Sequence, residues 1–195
     1  MDSISKMRLG LTDTLVFGQI PNVHNSIGDT MKKLIYQILT FCFSVTSFVF
    51  GAGDSWIGFD EGIALAEKNK KPIIVDFYTD WCHWCKVMDE KTFNEKDVKA
   101  KLQRNFVTVR INAEDRKATA TYRGQTFNNV QLTQAFGVTG FPTLAFLEDD
   151  GDVITTIPGY IPAEQFIHIL SYIEQKMYEK KMPFEEFLKL QEKSK

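Results

Sequence analysis

The feature that most constrains this chain is a pair of cysteines, Cys82 and Cys85, placed shortly after an apolar run of strand length. The run extends from Ile73 to Tyr78 and is continuous rather than alternating, which is typical of a strand covered on both faces. The residues after the pair are compatible with a helix. The cysteines are therefore predicted to lie where a central strand gives way to the N-terminus of a helix.

This position favours redox chemistry at the cysteine pair. The dipole and the unpaired N–H groups of a helix N-terminus stabilise a thiolate, so Cys82 is predicted to be an exposed nucleophile. Cys85 follows on the same helical face, one turn deeper, and is predicted to be less accessible. There it can attack a mixed disulfide at Cys82 and release the substrate, which is a two-step thiol–disulfide exchange.

A structural disulfide and a metal site are the alternatives for the same pair. A bridge between cysteines so close in sequence removes little chain entropy and cannot staple a domain. A structural zinc site needs a full tetrahedral set of ligands, and the chain has neither a second C-x-x-C nor an H-x-x-x-H. The remaining soft ligands are Cys42, His24, His83 and His168. No metal and no other cofactor is therefore expected.

Composition and charge indicate an ordinary globular domain. The chain has 195 residues, 44% of them hydrophobic and 25% charged, which is enough to build one core. Its net charge of −2 lacks the basic excess that nucleic-acid binding requires. We therefore expect one domain with a tail, a monomer, and no nucleic-acid partner.

The N-terminal quarter has the pattern of a secretory leader. Two lysines follow Met31, an apolar run extends from Leu34 to Phe50, and small residues close it at 51–53. These are the three regions of a signal peptide, so residues 31–53 are predicted to direct export and to be removed. An uncleaved membrane anchor is the alternative, although the run is short and diluted by polar residues. Residues 1–30 are interpreted as a non-native or disordered extension.

Four segments in sequence order resemble the thioredoxin-like family. The segment "VDFYTDWCHWCK", from Val75 to Lys86, is similar to the active-site segment of that family. Residues 106–115 resemble a core strand of that family, and residues 136–151 resemble its cis-proline loop and the strand that follows. Residues 153–170 resemble its last strand and closing helix. The resemblance implies an α/β thioredoxin fold, a central mixed sheet flanked by helices, over residues 54–180, with a short helical tail at 181–195. The nearest resemblance is to exported thiol–disulfide oxidoreductases of the SoxW and DsbD C-terminal-domain kind.

The resemblance also implies roles for single residues. Asp76 matches the buried acid that accepts the proton of the resolving thiol, and burial in an apolar strand would raise its pKa. A salt bridge at the edge of a strand is the alternative role for Asp76. Arg110 stands where the family often has a lysine near that acid, which is a departure that makes the proton relay less secure. Together with Cys82 and Cys85, Asp76 completes the predicted catalytic set.

The substrate groove is predicted from the same resemblance. Trp81 matches the tryptophan before the nucleophile, Pro142 matches the cis-proline, and Phe141 should line the groove beside it. His83 and Trp84, between the cysteines, are also predicted to belong to the groove. They depart from the Gly–Pro of cytosolic thioredoxin and are interpreted as giving an intermediate to reducing potential. The alternative is that His83 is simply exposed and has no effect on the potential.

The resemblance implies a periplasmic thiol–disulfide oxidoreductase, above all a reductase or electron carrier. A membrane thiol transporter of the DsbD type would supply its electrons, and a disulfide-containing client protein would receive them. A disulfide isomerase or oxidase is the alternative within enzymes. A redox-inactive thioredoxin-like module that binds a partner beside Pro142 is the alternative from another class. A membrane-anchored form facing the periplasm is the alternative location.

Several further elements are predicted from the pattern of the chain. Residues 116–131 are interpreted as a surface excursion, with a partner-recognition element beside the active site as the alternative. The segment 148–152 predicts a hairpin between two strands. The predicted helices are Phe59 to Asn69, Val87 to Leu102 with a break near 92–95, a helix whose last part is Gln131 to Phe136, and Ala163 to Lys180.

Overall fold

The structure is a computed structural model, and it describes residues 56–193. The predicted extension at 1–30 and the predicted leader at 31–53 lie outside the described residues. The described part contains α1 (Phe59–Asn69), β1 (Ile73–Tyr78), α2 (His83–Met88), a π-helical turn (Asp89–Phe93), α3 (Lys96–Asn105), β2 (Val107–Asn112), β3 (Thr119–Tyr122), β4 (Gln125–Asn128), α4 (Asn129–Ala135), β5 (Thr143–Leu147), β6 (Val153–Pro158), α5 (Ala163–Glu174) and α6 (Phe184–Lys193).

A mixed four-stranded sheet lies at the centre of this domain. Its strand order is β2-β1-β5-β6, with β1 parallel to β2 and β5 antiparallel to both β1 and β6. The continuous apolar run of β1 is buried along the sheet and is flanked by β2 and β5, as the sequence predicts. The predicted mixed sheet flanked by helices is confirmed.

Alternation along β1 divides the core into two layers. Ile73, Val75 and Phe77 face a layer completed by residues of α1 and α4. Ile74 faces the other layer, which is built largely from α2, α3 and α5. Since successive strand residues point to opposite faces, Asp76 shares the face of Ile74.

The helix that follows the cysteines is interrupted. It runs from His83 to Met88, widens into the π-helical turn at Asp89–Phe93, and a new helix begins at Lys96. Glu95 caps that helix by accepting hydrogen bonds from the N–H groups of Asp97 and Val98. The predicted break near 92–95 is thus confirmed, and α3 continues to Asn105, beyond the predicted end at Leu102.

The segment 116–131 folds as a hairpin followed by a helix. Strands β3 and β4 pair antiparallel around Arg123 and Gly124, both of which have positive φ (50° and 77°). Ala120 is buried, and Tyr122 contacts the ring of Phe59 on α1 edge-on, with 5.8 Å between the ring centroids. The expectation of a simple surface excursion is therefore only half right, since one face of the hairpin belongs to the core.

The C-terminal region also differs from the prediction. Helix α5 ends at Glu174 rather than near Lys180, because Lys176 adopts a left-handed conformation (φ 52°) and its N–H bonds the carbonyl of Ile173. The chain then turns, and α6 packs back on α5 through Phe187, which lies 5.5 Å from the ring of Tyr172. Within residues 56–193 no helix combines the length and the apolar character needed to cross a membrane.

Candidate active site

The two cysteines form a disulfide at the start of α2. Cys82 is the N-cap residue, the Cα atoms of Cys82 and Cys85 are 5.3 Å apart, and the sulfurs are bonded. The N–H of Cys85 points at the sulfur of Cys82 at 3.0 Å. This is the contact that would stabilise negative charge on Cys82 after reduction. The predicted strand-to-helix position of the pair is confirmed.

The expected difference in exposure between the cysteines is not seen in the disulfide form. Cys82 and Cys85 are each 4% exposed. The prediction that Cys82 is the exposed member considered only its place at the end of a helix. In the folded chain both cysteine residues are buried to the same extent.

Two exposed tryptophans flank the disulfide, and each contacts an aromatic ring from another loop. Trp81 is 67% exposed and its ring meets that of Phe141 edge-on at 6.2 Å. Trp84 is 55% exposed and lies 5.5 Å from the ring of Tyr160. The exposed His83 also contacts the Trp84 ring, with 5.6 Å between the ring centroids. The cysteine segment is thus connected to two loops at the same end of the sheet.

The loop before β5 completes this surface. The peptide bond between Phe141 and Pro142 is cis, in agreement with the resemblance. The carbonyl of Pro142 accepts a hydrogen bond of 2.8 Å from the N–H of Gly159, which precedes Tyr160. The cis-proline loop and the loop after β6 are therefore held side by side. The structure places Trp81, Trp84, Phe141 and Tyr160 around the disulfide.

Asp76 is buried on β1 and bonded to Arg110 on β2. The two residues are direct partners in the parallel register, and Arg110 donates from Nε (3.0 Å) and Nη2 (2.7 Å) to Oδ2 of Asp76. Asp76 is only 1% exposed. Burial raises the pKa of Asp76 from 3.8 to about 6, although the positive charge of Arg110 acts in the opposite direction. Asp76 is therefore buried and is also a member of an ion pair, so burial and ion pairing occur together at this residue.

Three functional candidates were not found by sequence reasoning. Tyr160 follows Gly159 in the turn after β6, and only its contact with Trp84 reveals it. Glu114 accepts the indole N–H of Trp81 on both carboxylate oxygens at 3.0 Å. Asp89 binds Arg110 from the π-helical turn. Its position four residues after Cys85 is the one sequence signal that places it on the cysteine face of the helix.

Among residues 56–193 no group of three or more histidine, cysteine, aspartate or glutamate side chains is arranged to hold a metal ion. The side chains at the site offer two sulfurs, a buried carboxyl group with a pKa of about 6, and an aromatic rim.

This chain is similar in sequence to one protein family and to several known proteins. Residues 59–174 match the family described as a thioredoxin-like domain. The thiol:disulfide interchange protein DsbD of Vibrio vulnificus (strain CMCP6) is 31% identical over 113 residues, which make up 57% of this chain and 17% of that protein. DsbD of Yersinia pestis (strain Pestoides F) is 32% identical over 111 residues, or 54% of this chain and 16% of that protein. The chain thus spans only a small part of the length of these relatives.

Solved structures agree on the fold. A thioredoxin-fold protein from Helicobacter pylori superposes with a TM-score of 0.52 at 21% identity, covering 62% of this chain and 80% of that one. A structure described as DsbH oxidoreductase superposes with a TM-score of 0.50 at 20% identity, covering 63% and 84%. At these identities the superpositions show the fold alone.

Proposed function

The chain belongs to the thioredoxin-like domain family, and from this premise we propose that it is a thiol–disulfide oxidoreductase that acts as a reductase or electron carrier. The observation that carries the proposal is the disulfide at the start of α2, where the N–H of Cys85 lies 3.0 Å from the sulfur of Cys82. A hydrogen bond that stabilises the thiolate of the first cysteine makes that cysteine a better nucleophile. The similarity to thiol:disulfide interchange proteins supports the same chemistry.

The proposed reaction has two steps. In the reduced protein the Cys82 thiolate attacks a client disulfide and forms a mixed disulfide, and one client sulfur leaves as a thiolate. Cys85 then attacks the Cys82 sulfur, closes the Cys82–Cys85 disulfide and releases the second client sulfur. Asp76 accepts the Cys85 proton, because a carboxyl group with a pKa of about 6 can exchange protons near neutral pH.

The aromatic rim around the disulfide is the proposed client groove. An extended client segment would pair with the backbone beside Pro142 and lie between Trp81 and Trp84. Phe141 and the newly found Tyr160 would contact its apolar side chains. Exposed aromatic side chains are typical of surfaces that bind other proteins.

The proposed location is the periplasm, and the proposed electron donor is a membrane thiol transporter of the DsbD type. Export would depend on residues 31–53 as a cleaved leader, with residues 54–180 forming the redox domain and 181–195 its tail. Sequencing the N-terminus of the protein purified from its native cell tests this arrangement. A mature chain beginning near residue 54 agrees with export and cleavage, whereas a chain that keeps residues 31–53 supports the anchored alternative.

Trapping of mixed disulfides tests the reaction. Cys85→Ser cannot complete the second step, so client proteins are expected to accumulate as disulfide-linked adducts of Cys82 on non-reducing gels. Cys82→Ser is the matched control and should trap nothing. If Cys85→Ser captures no adduct while Cys82→Ser still binds a partner without covalent linkage, the redox-inactive binding module is the better description.

The direction of electron flow is tested by the reduction potential of the Cys82–Cys85 pair in glutathione or dithiothreitol buffers. Trp81 and Trp84 flank the disulfide and should report its reduction by fluorescence. A value near that of thioredoxin, about −270 mV, agrees with a reductase. A value near about −120 mV, that of a strong oxidant, would instead identify a disulfide donor.

A further inference from the structure

The turn after β6 holds Tyr160 in place from both sides. The N–H of Gly159 donates to the carbonyl of Pro142 at 2.8 Å, and the carbonyl of Ile161 accepts the hydroxyl of Thr92 at 2.6 Å. One bond fixes the turn to the loop before β5, and the other fixes it to the π-helical turn. The ring of Tyr160 is therefore presented beside the cysteine segment by a backbone that is bonded to both neighbouring elements.

Trp84 already occupies this ring. It lies in the first turn of α2, between the two cysteines, and its ring is 5.5 Å from that of Tyr160, with 36° between the ring planes. The contact spans the gap between α2 and the loop after β6, and the disulfide lies at the start of α2. A partner segment that is to contact the ring of Tyr160 therefore has to displace Trp84.

The two tryptophans beside the disulfide are held differently. The indole N–H of Trp81 donates to both carboxylate oxygens of Glu114 at 3.0 Å. In the described part of the chain the indole N–H of Trp84 has no hydrogen-bond partner, and its ring rests on Tyr160. A ring contact is weaker and less directional than a hydrogen bond to a carboxylate. Trp84 is thus the member of the pair that can swing aside.

The disulfide needs such a movement before it can react. Cys82 and Cys85 are each only 4% exposed. In thiol–disulfide exchange an incoming thiolate has to reach one sulfur of the bond, so the rate depends on access to that sulfur. Because so little of either residue meets solvent, a neighbouring side chain has to move before a thiolate can attack.

We propose that Trp84, resting on Tyr160, is a gate in front of the Cys82–Cys85 disulfide, and that Tyr160 selects the thiol that opens it. The preferred partner carries an aromatic side chain next to its cysteine, because that ring can replace Trp84 on Tyr160 and offset the lost contact. A thiol without such a side chain opens the gate with no compensating contact. This inference rests on the proposed function, in which the cysteine pair exchanges with partner thiols, and it names the chemistry of the partner.

The gated step is the reduction of the disulfide by two partner thiols. The first partner thiolate attacks the Cys82 sulfur, the Cys82–Cys85 bond breaks, and Cys85 leaves as a thiolate that takes a proton from solvent. The second partner thiolate attacks the partner sulfur of the mixed disulfide, and Cys82 leaves as a thiolate. The two partner thiols are oxidised to a disulfide, and the cysteine pair gains two electrons.

Reduction of the oxidised protein by dithiothreitol tests the gate, with the free cysteines counted over time by alkylation and mass spectrometry. Tyr160→Ala and Trp84→Ala each remove the ring contact, so each should raise the rate constant about 2- to 10-fold, the range that corresponds to one aromatic pair. Tyr160→Phe keeps the ring and should return the rate to near the wild-type value. The double variant should be no faster than the faster single variant, because both changes remove the same contact.

The matched control for this experiment is Leu65→Ala. It removes an exposed apolar side chain from α1 and should leave the rate with dithiothreitol unchanged. If Tyr160→Ala does not fold, Tyr160→Leu takes its place, since it also lacks an aromatic ring. Rates that do not rise in the folded Tyr160 and Trp84 variants would overturn the gate.

Two capped peptide thiols test the selection: N-acetyl-phenylalanyl-cysteine amide and N-acetyl-glycyl-cysteine amide. Each rate is divided by the rate of the same peptide with hydroxyethyl disulfide, which removes differences in intrinsic reactivity. The wild type should then prefer the phenylalanine peptide by about 2- to 10-fold. Trp84→Ala should keep this preference because the ring of Tyr160 is still present, whereas Tyr160→Ala should lose it.

The same measurements separate this inference from the proposed function. A wild type without the preference, or a preference that survives Tyr160→Ala, would overturn the selection by Tyr160. Neither assay needs a client protein. If Cys85→Ser traps no client, the proposed function fails while the rates with dithiothreitol and the two peptides still decide the gate.

Discussion

At the scale of single residues, large aromatic side chains around the disulfide are exposed to solvent. Trp81 and Trp84 are 67% and 55% exposed, and each contacts an aromatic ring from a neighbouring loop. Glu114 anchors the indole N–H of Trp81, so that this side chain keeps its orientation while its face stays open. Under the proposed function, the groups that would contact a client are exposed, whereas Asp76, whose pKa is raised, is buried.

The ionisation of Asp76 should be visible in the stability of the protein. Its folded pKa of about 6 lies above its ordinary value of 3.8, so the folded protein holds a proton that the unfolded chain has already released. The free energy of unfolding should therefore fall as pH rises from about 4 to about 6, by up to about 1.4 kcal/mol per pH unit. Asp76→Asn should remove this slope.

The measurement is chemical denaturation of wild type and Asp76→Asn across this pH range. Asp115→Asn is a useful control, because backbone N–H groups of Lys117 and Ala118 lower the pKa of that exposed carboxyl group. Its contribution to stability is therefore lost only as pH falls below about 4, and this variant should keep the wild-type slope between about pH 4 and 6. Parallel pH dependence of wild type and Asp76→Asn would show that Asp76 titrates as it does in the unfolded chain.

At the scale of elements, the packing of α1 on β2 depends on a glycine. A Cβ atom at Gly62 would come within 2.1 Å of Cγ2 of the buried Val109. Gly62→Ala should therefore lower the free energy of unfolding by about 1–3 kcal/mol through overpacking, despite the better helix propensity of alanine. Thermal or denaturant unfolding measures this change.

Two further variants make the Gly62 comparison specific. Gly140→Ala is the control, since a Cβ there meets nothing within 4 Å and its φ is not positive. The double variant Gly62→Ala, Val109→Ala removes the clashing methyl group, so its loss should be smaller than the sum of the single losses. Strict additivity would mean that the two elements do not meet at this point.

The π-helical turn is tied to the loop before α5 by one buried hydrogen bond. The hydroxyl of Thr92 donates to the carbonyl of Ile161 at 2.6 Å, and Thr92 is fully buried. Thr92→Val keeps the shape of the side chain but leaves that carbonyl without this donor, which should cost about 1–3 kcal/mol of stability. Thr126→Val on the exposed face of β4 should be near neutral in the same unfolding assay. Equal effects of the two variants would contradict the importance of this bond.

At the scale of the whole molecule, helix α6 behaves as part of the core. Phe187 is 1% exposed and contacts the ring of Tyr172 at 5.5 Å. Phe187→Ala should lower the stability of the entire domain by about 3–5 kcal/mol, with one cooperative transition. Leu190, on the same helix, is 48% exposed, and Leu190→Ala should change the melting temperature little. A separate early transition in Phe187→Ala would instead mark α6 as an independent appendage.

Much of the architecture could be predicted because local patterns agree with the tertiary structure. The run at Ile73–Tyr78 is continuous in hydrophobicity and becomes a buried central strand, and Phe59–Asn69 forms the predicted helix to the residue. The end of α5 could not be predicted, since the apolar periodicity continues past Glu174. What ends the helix is a left-handed Lys176 and the packing of α6, and neither leaves a pattern in the local sequence.

The sequence by itself determined the strand and the position of Cys82 and Cys85 at its exit, because hydrophobic period and motif spacing are local properties, and the resemblance to the family pointed to Asp76 as the buried acid. Only the tertiary structure decided what surrounds them. The pairing of Asp76 with Arg110 depends on the register of β1 against β2, and the contacts of Arg110 with Asp89 and of Trp84 with Tyr160 join residues far apart in the chain. Such contacts depend on how strands and loops pack against one another in three dimensions, which a local sequence pattern does not determine.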